Sequence, residues 1–384
     1  MGKRKDSKGK VLKVGEGQRE NGTYDYRYTD TRGKRRVIYA KTLDELRQKE
    51  IQIQKDILDG IDSAAGDITV IELVEKYINL RRDLKQNSIR AYQTGINRIK
   101  ATPFGERRIN TVKKSDAIAY LISFHDQGLK QNTIGIIHNL LRPAFEMAVE
   151  DDAIRKNPFK LTLSEYIPDD EKRRESLTKA HQKLYLSFIQ EYGNGNYYDD
   201  ILILLNTGLR VSELYGLTKA DIDLNKRYIR IDKQLCRTAD KPYFITEPKT
   251  KSGFRNIPLT DEVCWAFQRV LENRPRPKVE KIVDGYGGFL FLDKYGKPKV
   301  GMHLQNYMRQ MQKKLVGQYG KIMPSVTPHV LRHTFCTNMG MAGIDAKSLQ
   351  TIMGHSNISV TYDVYTHVDY ETVERAFFKA AATL

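Results

Sequence analysis

Apolar and polar positions alternate with a period of two near the start of the chain, and this pattern predicts a small β-sheet. Tyr24, Tyr26 and Tyr28 fall on one side of a first strand. A turn at Gly33 and the apolar segment 37–40 predict a second strand beside it. The residues before this sheet are too polar to form a core, so we expect them to be a flexible arm.

The spacing of apolar residues then changes to that of a helix. Thr42, with Glu45 three residues later, is typical of a capping box and predicts a helix over 43–58. Gly60 and the polar residues after it end this helix. Sheet and helix together form a first predicted domain, residues 1–66.

The next domain, residues 67–160, is predicted to contain helices only. Apolar residues recur there at three- and four-residue spacing in four segments. These segments are 68–82, 88–100, 115–128 and 133–152. Between Arg81 and Lys114 the sequence has 10 basic and 2 acidic residues, which indicates a helical bundle with one basic face.

A charged linker, residues 161–176, leads to a mixed domain over 177–384. The pattern there predicts a buried helix ended by Gly208, and later helices that continue to the C-terminus. Predicted strands are 228–232, 243–259 with a Lys-Ser-Gly turn, and 289–292. The predicted fold class is therefore multidomain α+β: a small sheet with a helix, an all-α domain, and a mainly α domain with a small sheet.

Charge points to the kind of partner. Among 384 residues, 64 are Lys or Arg and 47 are Asp or Glu, a net charge of +17. Such an excess favours a polyanion, which is nucleic acid or less often an anionic membrane surface. No apolar run is long enough to span a membrane, and the first residues lack the apolar segment of a secretory signal. The three cysteines lie far apart without a CxxC motif, so we expect a reducing, cytoplasmic location.

Residues suited to phosphate chemistry are concentrated in the last domain. His329, Arg332 and His333 lie at helical spacing, so Arg332 and a histidine can share one face. Arg210 follows a helix-ending glycine, and His355 lies upstream of two tyrosines. Arginine binds phosphate through two hydrogen bonds, and histidine transfers protons near neutral pH.

Each of these residues also has an ordinary structural interpretation. Two histidines at i, i+4 suggest a zinc site, but Val330 occupies the position where HExxH needs its glutamate. An arginine after a glycine is usually solvated, and the pair Tyr362 and Tyr365 would usually serve packing. No Walker loop and no paired-acid cluster stands out, so we expect neither a metal nor a cofactor.

Taken in order, these residues resemble the signature of the tyrosine recombinases, also called phage integrases. The matching positions are Arg210 in TGLRVSEL, Lys251 in KTKSG, His329 and Arg332 in HVLRH, His355 in GHS, and Tyr365 in YTH. The helical region is similar to the core-binding domain of that family. The N-terminal sheet and helix look like the arm-binding domain of conjugative-transposon integrases. The resemblance covers essentially the whole chain.

The resemblance implies a role for each of these residues. Tyr365, directly before Thr-His, would attack a DNA phosphodiester and form a 3′-phosphotyrosine. Arg210 and Arg332 would bind the phosphate, and His329 and His355 would assist proton transfer. The remaining assignments are Lys251 as proton donor to the leaving oxygen, Glu213 as support of the basic cluster, and His333 as a structural residue. No ATP is implied, because each cleaved bond is conserved as a phosphotyrosine.

The resemblance also implies double-stranded DNA as partner, at core crossover sites and at arm sites. Candidate contacts are Arg27, Arg35 and Arg36 on the N-terminal sheet and Ser88, Arg90, Asn132 and Asn139 on the helices. A homotetramer on DNA is expected, with an excisionase and host DNA-bending proteins as further partners. A tail helix with Val373, Ala376, Phe377 and Ala380 would pack on its own domain or dock on a neighbouring protomer.

These features predict a site-specific recombinase that integrates and excises a mobile element. Three other functions are weighed against it. A resolvase of chromosome dimers usually lacks the N-terminal domain, and a type IB topoisomerase would not need two sequence-reading domains. A purely DNA-binding regulator would not be expected to keep all six catalytic positions.

Overall fold

The computed structural model describes residues 4–62, 65–82, 86–169, 175–238, 241–248, 250–359, 361, 374 and 378. The chain divides into two compact units, Met1–Lys172 and Arg173–Leu384. Strands and helices occur in both, which confirms the predicted α+β class. In the described part of the chain, no helix has the length and apolar character needed to cross a membrane.

The first unit begins with a three-stranded antiparallel sheet. Its strands, in the order β1-β2-β3, are β1 (Glu16–Gln18), β2 (Tyr24–Thr29) and β3 (Arg35–Ala40). Helix α1 (Leu43–Leu58) packs on it and buries Tyr24, Tyr26 and Leu46. Both predicted strands and the predicted helix are confirmed, while β1 was not predicted.

The expected flexible arm is wrong for residues 4–18. Asp6 is buried, and its carboxylate accepts hydrogen bonds from the backbone N–H groups of Lys8 and Lys10 and from the Tyr24 hydroxyl. This segment has few apolar residues, but its polar groups are satisfied by one another and by the sheet. Composition alone therefore predicted too much flexibility for this segment.

The predicted capping box at Thr42 forms only in part. The Thr42 hydroxyl accepts from the Glu45 N–H, but the Glu45 carboxylate accepts from the N–H of Lys41, one residue before the cap. Thr69 and Glu72, at the start of the next helix, make both reciprocal bonds of a complete box.

Four helices follow in the described part of the first unit, and all four were predicted. They are α2 (Val70–Leu80), α3 (Gln86–Lys100), α4 (Lys114–Asp126) and α5 (Gln131–Glu150). Their apolar faces enclose one core, in which Phe145 and Phe159 are fully buried. Leu161 and Ile167 also belong to this core, so the segment predicted as the start of a linker packs on the helices.

The second unit is built mainly from helices. They are α6 (Lys179–Tyr192), α7 (Tyr198–Thr207), α8 (Val211–Gly216), α9 (Asp261–Glu272), α10 (Gly301–Tyr319), α11 (Pro328–Met341) and α12 (Ala346–Met353). Helix α7 is buried along nearly its whole length and packs against α9 and α11. It is the central helix of this unit, as its continuous apolar sequence predicts.

Two small antiparallel sheets lie in the described part of the second unit. One has the order β4-β5-β8, with β4 (Ile222–Asp223), β5 (Tyr228–Ile231) and β8 (Arg255–Pro258); the other pairs β6 (Gln234–Cys236) with β7 (Phe244–Thr246). The prediction of one continuous strand region over 243–259 was thus incomplete, because β7 and β8 belong to different sheets.

The predicted strand over 289–292 is wrong. Phe289 and Leu292 make only isolated bridges, to Thr218 and Pro298. All four residues of the segment are nonetheless buried. A short apolar run indicates burial, and a strand requires in addition a partner along its length.

Candidate active site

A sharp turn between α7 and α8 positions Arg210. Gly208 ends α7 with φ +65, and a Cβ there would lie 2.4 Å from the ring of Phe335. Only glycine fits this left-handed, crowded position. Two residues later, Arg210 is the N-cap of α8, and its side chain is partly exposed.

Glu213, in the first turn of α8, is the fully buried anion at the centre of the site. Its carboxylate accepts from the backbone N–H of Arg210 at 2.9 Å and from the Arg210 guanidinium at 2.7 Å. On its other side it accepts two bonds from Arg255, at 2.8 and 3.2 Å. Burial would raise the pKa of Glu213, but the hydrogen bonds and charge of Arg255, with Arg210 and Arg332, lower it to about 2.

Arg332 projects from α11 into the same cluster and is 4% exposed. It donates to the carbonyl of Gly208 at 2.6 Å and to the carbonyl of Met353. Burial and the neighbouring charge of Arg210 lower the pKa of the Arg332 guanidinium to about 9. It therefore remains cationic at neutral pH.

Three arginines converge on the end of α12. Arg255 donates to the carbonyl of Ile352, Arg332 to that of Met353, and Arg210 to that of Gly354, at 3.4 Å for the last. Carbonyls at a helix C-terminus lack partners within the helix and carry partial negative charge. Together with Glu213 they hold the three like charges close together.

His355 follows these carbonyls directly. Burial and then the charges of Arg332, Arg210 and Arg255 lower the pKa of His355 to about 4. Its Nδ1 lies 3.1 Å from the Thr361 hydroxyl. The imidazole is thus neutral at neutral pH.

His329 and Lys251 lie in more exposed positions. His329 is on the first turn of α11, three residues before Arg332, and its side chain is exposed. Lys251 begins a 3-10 turn, Lys251–Gly253, and is also exposed. His333 is half-buried on α11, with its Nδ1 3.3 Å from the Thr337 hydroxyl. The predicted Tyr362 and Tyr365 and the tail residues Val373, Ala376, Phe377 and Ala380 lie outside the described residues.

Arg255 is the residue of this cluster that the sequence analysis did not single out. A signal for it exists in the strand pattern. Along β8 and the residue after it, positions 255, 257 and 259 point inward, and Arg255 is the charged member beside Ile257 and Leu259. A charge at an inward strand position requires a buried partner, although the sequence does not identify Glu213 as that partner.

The cluster is chemically suited to a phosphodiester. Among the described residues of the cluster, Arg210, Arg255 and Arg332 outnumber the carboxylate of Glu213, so this part of the site carries net positive charge. Among the residues that the structure describes, no group of three or more His, Cys, Asp and Glu side chains is arranged to hold a metal ion. An anion is the ligand that the arrangement favours.

The candidate DNA contacts on the N-terminal sheet lie on two faces. Pairing of Thr29 with Arg35 and of Arg27 with Val37 puts Arg27 and Arg35 on the face away from α1. Arg36 is opposite Tyr28, on the other face, and pairs with Asp30 at 3.0 Å. The three arginines therefore do not form one row.

The candidate contacts in the helical region are at least partly accessible. Asn132 and Asn139 are exposed on α5, seven residues apart and hence on one face. Arg90 is exposed and Ser88 half-buried on α3. Part of the predicted basic face is compensated, since the structure pairs Lys100 with Glu75, Arg107 with Asp116 and Arg108 with Asp67.

Comparison with family profiles gives two matches. Residues 175–372 match the phage integrase family, and residues 1–57 match a profile described as the DNA binding domain of Tn916 integrase. The first match contains every residue of the arginine cluster. The second contains the N-terminal sheet and nearly all of α1.

Comparison with individual proteins gives relatives along almost the whole chain. The transposase from transposon Tn916 of Enterococcus faecalis is 38% identical over 96% of this chain and 95% of its own length. The transposase from transposon Tn1545 of Streptococcus pneumoniae gives the same identity and coverage. Among solved structures, a Tyr-to-Phe variant of the Tn1549 transposon integrase in complex with transposon right end DNA has a TM-score of 0.76. It is 40% identical and covers 82% of this chain and 100% of that one.

Proposed function

The chain belongs to the phage integrase family of tyrosine recombinases, and we propose that it integrates and excises a mobile genetic element, a conjugative transposon or a phage. It is a site-specific DNA recombinase, as the sequence analysis predicted. The observation that carries the proposal is the N-terminal match to a transposon integrase's DNA-binding domain, joined in one chain to the arginine cluster.

The reaction exchanges phosphodiesters without loss of bond energy. The phenolic oxygen of Tyr365 attacks phosphorus and forms a 3′-phosphotyrosine, while the bond from phosphorus to the 5′-oxygen breaks. The phenol proton passes to a histidine, and the leaving oxygen receives a proton from Lys251. Attack by the 5′-hydroxyl of another strand reverses these steps, and a second round resolves the Holliday junction. Neither ATP nor a metal ion enters this balance.

The proposed roles of the residues follow from their charges. Arg210 and Arg332 clamp the nonbridging oxygens and stabilise the charge of the pentavalent transition state. His329 and His355 hydrogen-bond the phosphate and assist proton transfer, and His355 is neutral at neutral pH. Glu213 orients the arginines, a role supported by its bidentate contact with Arg255 and its two bonds to Arg210.

Covalent trapping tests this function and the nucleophile together. A nicked suicide duplex taken from the DNA that flanks the coding region is incubated with the protein, without ATP or Mg²⁺. We expect a covalent adduct from the unchanged protein and from Tyr362→Phe, and none from Tyr365→Phe. An adduct formed by Tyr365→Phe would refute the assignment of the nucleophile, and no adduct from the unchanged protein would refute the activity.

DNA binding is proposed to be divided among three domains. Residues 67–160 and 177–384 hold the crossover site, and residues 1–66 bind arm sites. Binding of phosphate by many Lys and Arg residues makes affinity depend steeply on salt. The net charge of +17 supports this arrangement.

Assembly is proposed to be a homotetramer on two duplexes, because strand exchange needs four active sites. The tail after Tyr365 docks in this proposal on the neighbouring protomer, and an excisionase and host DNA-bending proteins assist excision. The protein acts in the cytoplasm, at the bacterial nucleoid. Sedimentation of a protein lacking residues 369–384 tests the docking: we expect loss of the tetramer on DNA, and an intact tetramer would contradict it.

A further inference from the structure

Arg255 is a buried cation that joins three separate segments of the second unit. Its side chain is 2% exposed and donates two hydrogen bonds to Glu213 of α8. It also donates to the carbonyl of Gly253, at 3.1 Å, and to that of Ile352, at 2.6 Å. The roles proposed above leave this residue without a function of its own.

Stability alone does not account for such a residue. Burying two charges costs much of what their attraction returns, and apolar side chains of similar volume often stabilise a protein as well or better. A bidentate Arg–carboxylate contact instead fixes the relative orientation of its two partners. Arg255 is therefore best understood through the segments that it orients.

The first of these segments is the turn Lys251–Gly253. Its last carbonyl accepts from Arg255, and the N–H of Phe254 closes the turn on the carbonyl of Lys251. A Cβ on Gly253 would lie 2.2 Å from the Cβ of Pro248, so the backbone has little room to move. Arg255 thus ties a tightly packed turn directly to the carboxylate that also holds Arg210.

The second segment is the end of α12, which leads into His355. Besides accepting at Ile352, this segment passes so close to Arg255 that a Cβ on Gly354 would lie 2.9 Å from its Nη1. The same Cβ would lie 3.1 Å from the carbonyl oxygen of Ser252, within the Lys251 turn. The turn and the His355 segment therefore meet at the Arg255 guanidinium.

We propose that Arg255 is a positioning residue that holds the Lys251 turn against the Arg210–Glu213 pair and so presents the turn's lysine to the leaving 5′-oxygen. This inference rests on the proposed function. In the cleavage step the bond from phosphorus to the 5′-oxygen breaks and the oxygen takes a proton from the lysine ammonium. Displacement of the turn withdraws that proton donor, while Arg332, anchored on the carbonyls of Gly208 and Met353, stays in place.

A DNA with sulfur in place of the bridging 5′-oxygen separates this role from a general loss of structure. A thiol has a pKa of about 8.5, so sulfur leaves as a thiolate without needing a proton donor. Single-turnover cleavage of the oxygen and sulfur duplexes is measured for the unchanged protein and for Arg255→Lys. Lysine keeps the positive charge beside Glu213 but offers one nitrogen in place of a planar fork.

We expect Arg255→Lys to cleave the oxygen duplex about 10²-fold more slowly, because loss of a proton donor has an effect of this size. The ratio of the cleavage rate of the sulfur duplex to that of the oxygen duplex should rise about tenfold or more. The matched control is Arg274→Lys. Arg274 is another buried arginine of this unit, bonded to Glu280 and to the carbonyl of Phe289. Its replacement should lower the melting temperature and leave the ratio unchanged.

An unchanged ratio in folded Arg255→Lys would overturn the inference. Thermal unfolding shows whether that variant is folded, and Arg255→Gln, which keeps a hydrogen-bond donor towards Glu213, is measured in its place if it is not. No cleavage of either duplex by the unchanged protein would instead refute the proposed function. The two failures are therefore distinguishable.

Discussion

At the scale of single residues, one buried carboxylate determines the electrostatics of the site. Glu213 lies between Arg210 and Arg255, and the second of these pairs is almost fully buried. Removing one partner of a buried ion pair typically costs about 3–5 kcal/mol, because the other charge is left without compensation. Glu213 therefore acts on the cluster as a whole and not on Arg210 alone.

His355 should make stability depend on pH in a defined window. Its pKa is lowered from 6.5 to about 4 in the folded protein, so the unfolded chain binds a proton first as pH falls. The free energy of unfolding is then expected to decrease as pH falls from 6.5 towards 4. Thermal melts across this range measure the effect.

The control for this window is His355→Gln, which cannot titrate. Glu213, with a pKa of about 2, loses its contribution only as pH falls below its usual value of 4.5, so the two groups separate along the pH scale. The variant should show a flatter pH dependence between 6.5 and 4.5. Equal slopes for variant and unchanged protein would mean that His355 does not carry the effect.

At the scale of elements, short connections between strands and helices hold the chemistry. Gly208 turns the chain from α7 into Arg210, and the last carbonyls of α12 bind three arginines before the chain reaches His355. The Lys251 turn joins this set through Arg255. Packed helices fix these connections, while the connections themselves present the polar groups.

Cleavage of DNA should depend on one lysine of this turn, Lys251. The sequence has Lys249 two residues before Lys251, and the family resemblance assigns the proton donor to Lys251. We expect Lys251→Ala to lower cleavage of the oxygen duplex by about 10²-fold or more, the usual effect of losing a general acid. Lys249→Ala, measured in the same assay, is the matched control. Loss of cleavage in Lys249→Ala alone would move the role to that residue.

At the scale of the whole molecule, arm binding is expected to be separable from catalysis. Deleting residues 1–66 removes the N-terminal sheet but keeps Thr69 and Glu72, which cap α2. The deletion also removes Asp56 and Asp59 from their partly exposed contact with Arg155, a surface interaction of small energy. Gel shifts on arm-site DNA should show weaker binding, while cleavage at the core site continues.

Two variants with small changes on the sheet test arm binding without removing the whole domain. Arg27 and Arg35 share the open face of the sheet, whereas Arg36 lies on the other face with Asp30. The double change Arg27→Ala and Arg35→Ala should therefore weaken arm binding more than Arg36→Ala does. Unchanged arm binding after the deletion would contradict a DNA-binding role for this domain.

The sequence by itself determined the long elements and the family. Helices α1 to α5, α10 and α11 follow from apolar residues at helical spacing, a local property of the chain. The order of Arg210, Arg332, His355 and their neighbours is also readable without coordinates, and it identified the family that the profile match confirms. These features depend on residues close together in sequence or on their order.

Only the tertiary structure decided which charged and polar groups pair with one another. Glu213 and Arg255 are separated by 42 residues, and Arg210 and the carbonyl of Gly354 by 144, so no local pattern relates them. The ordered tip around Asp6 and the absence of a strand over 289–292 have the same cause. A buried polar group or a strand edge is stable only with its partner, and packing of distant segments supplies that partner.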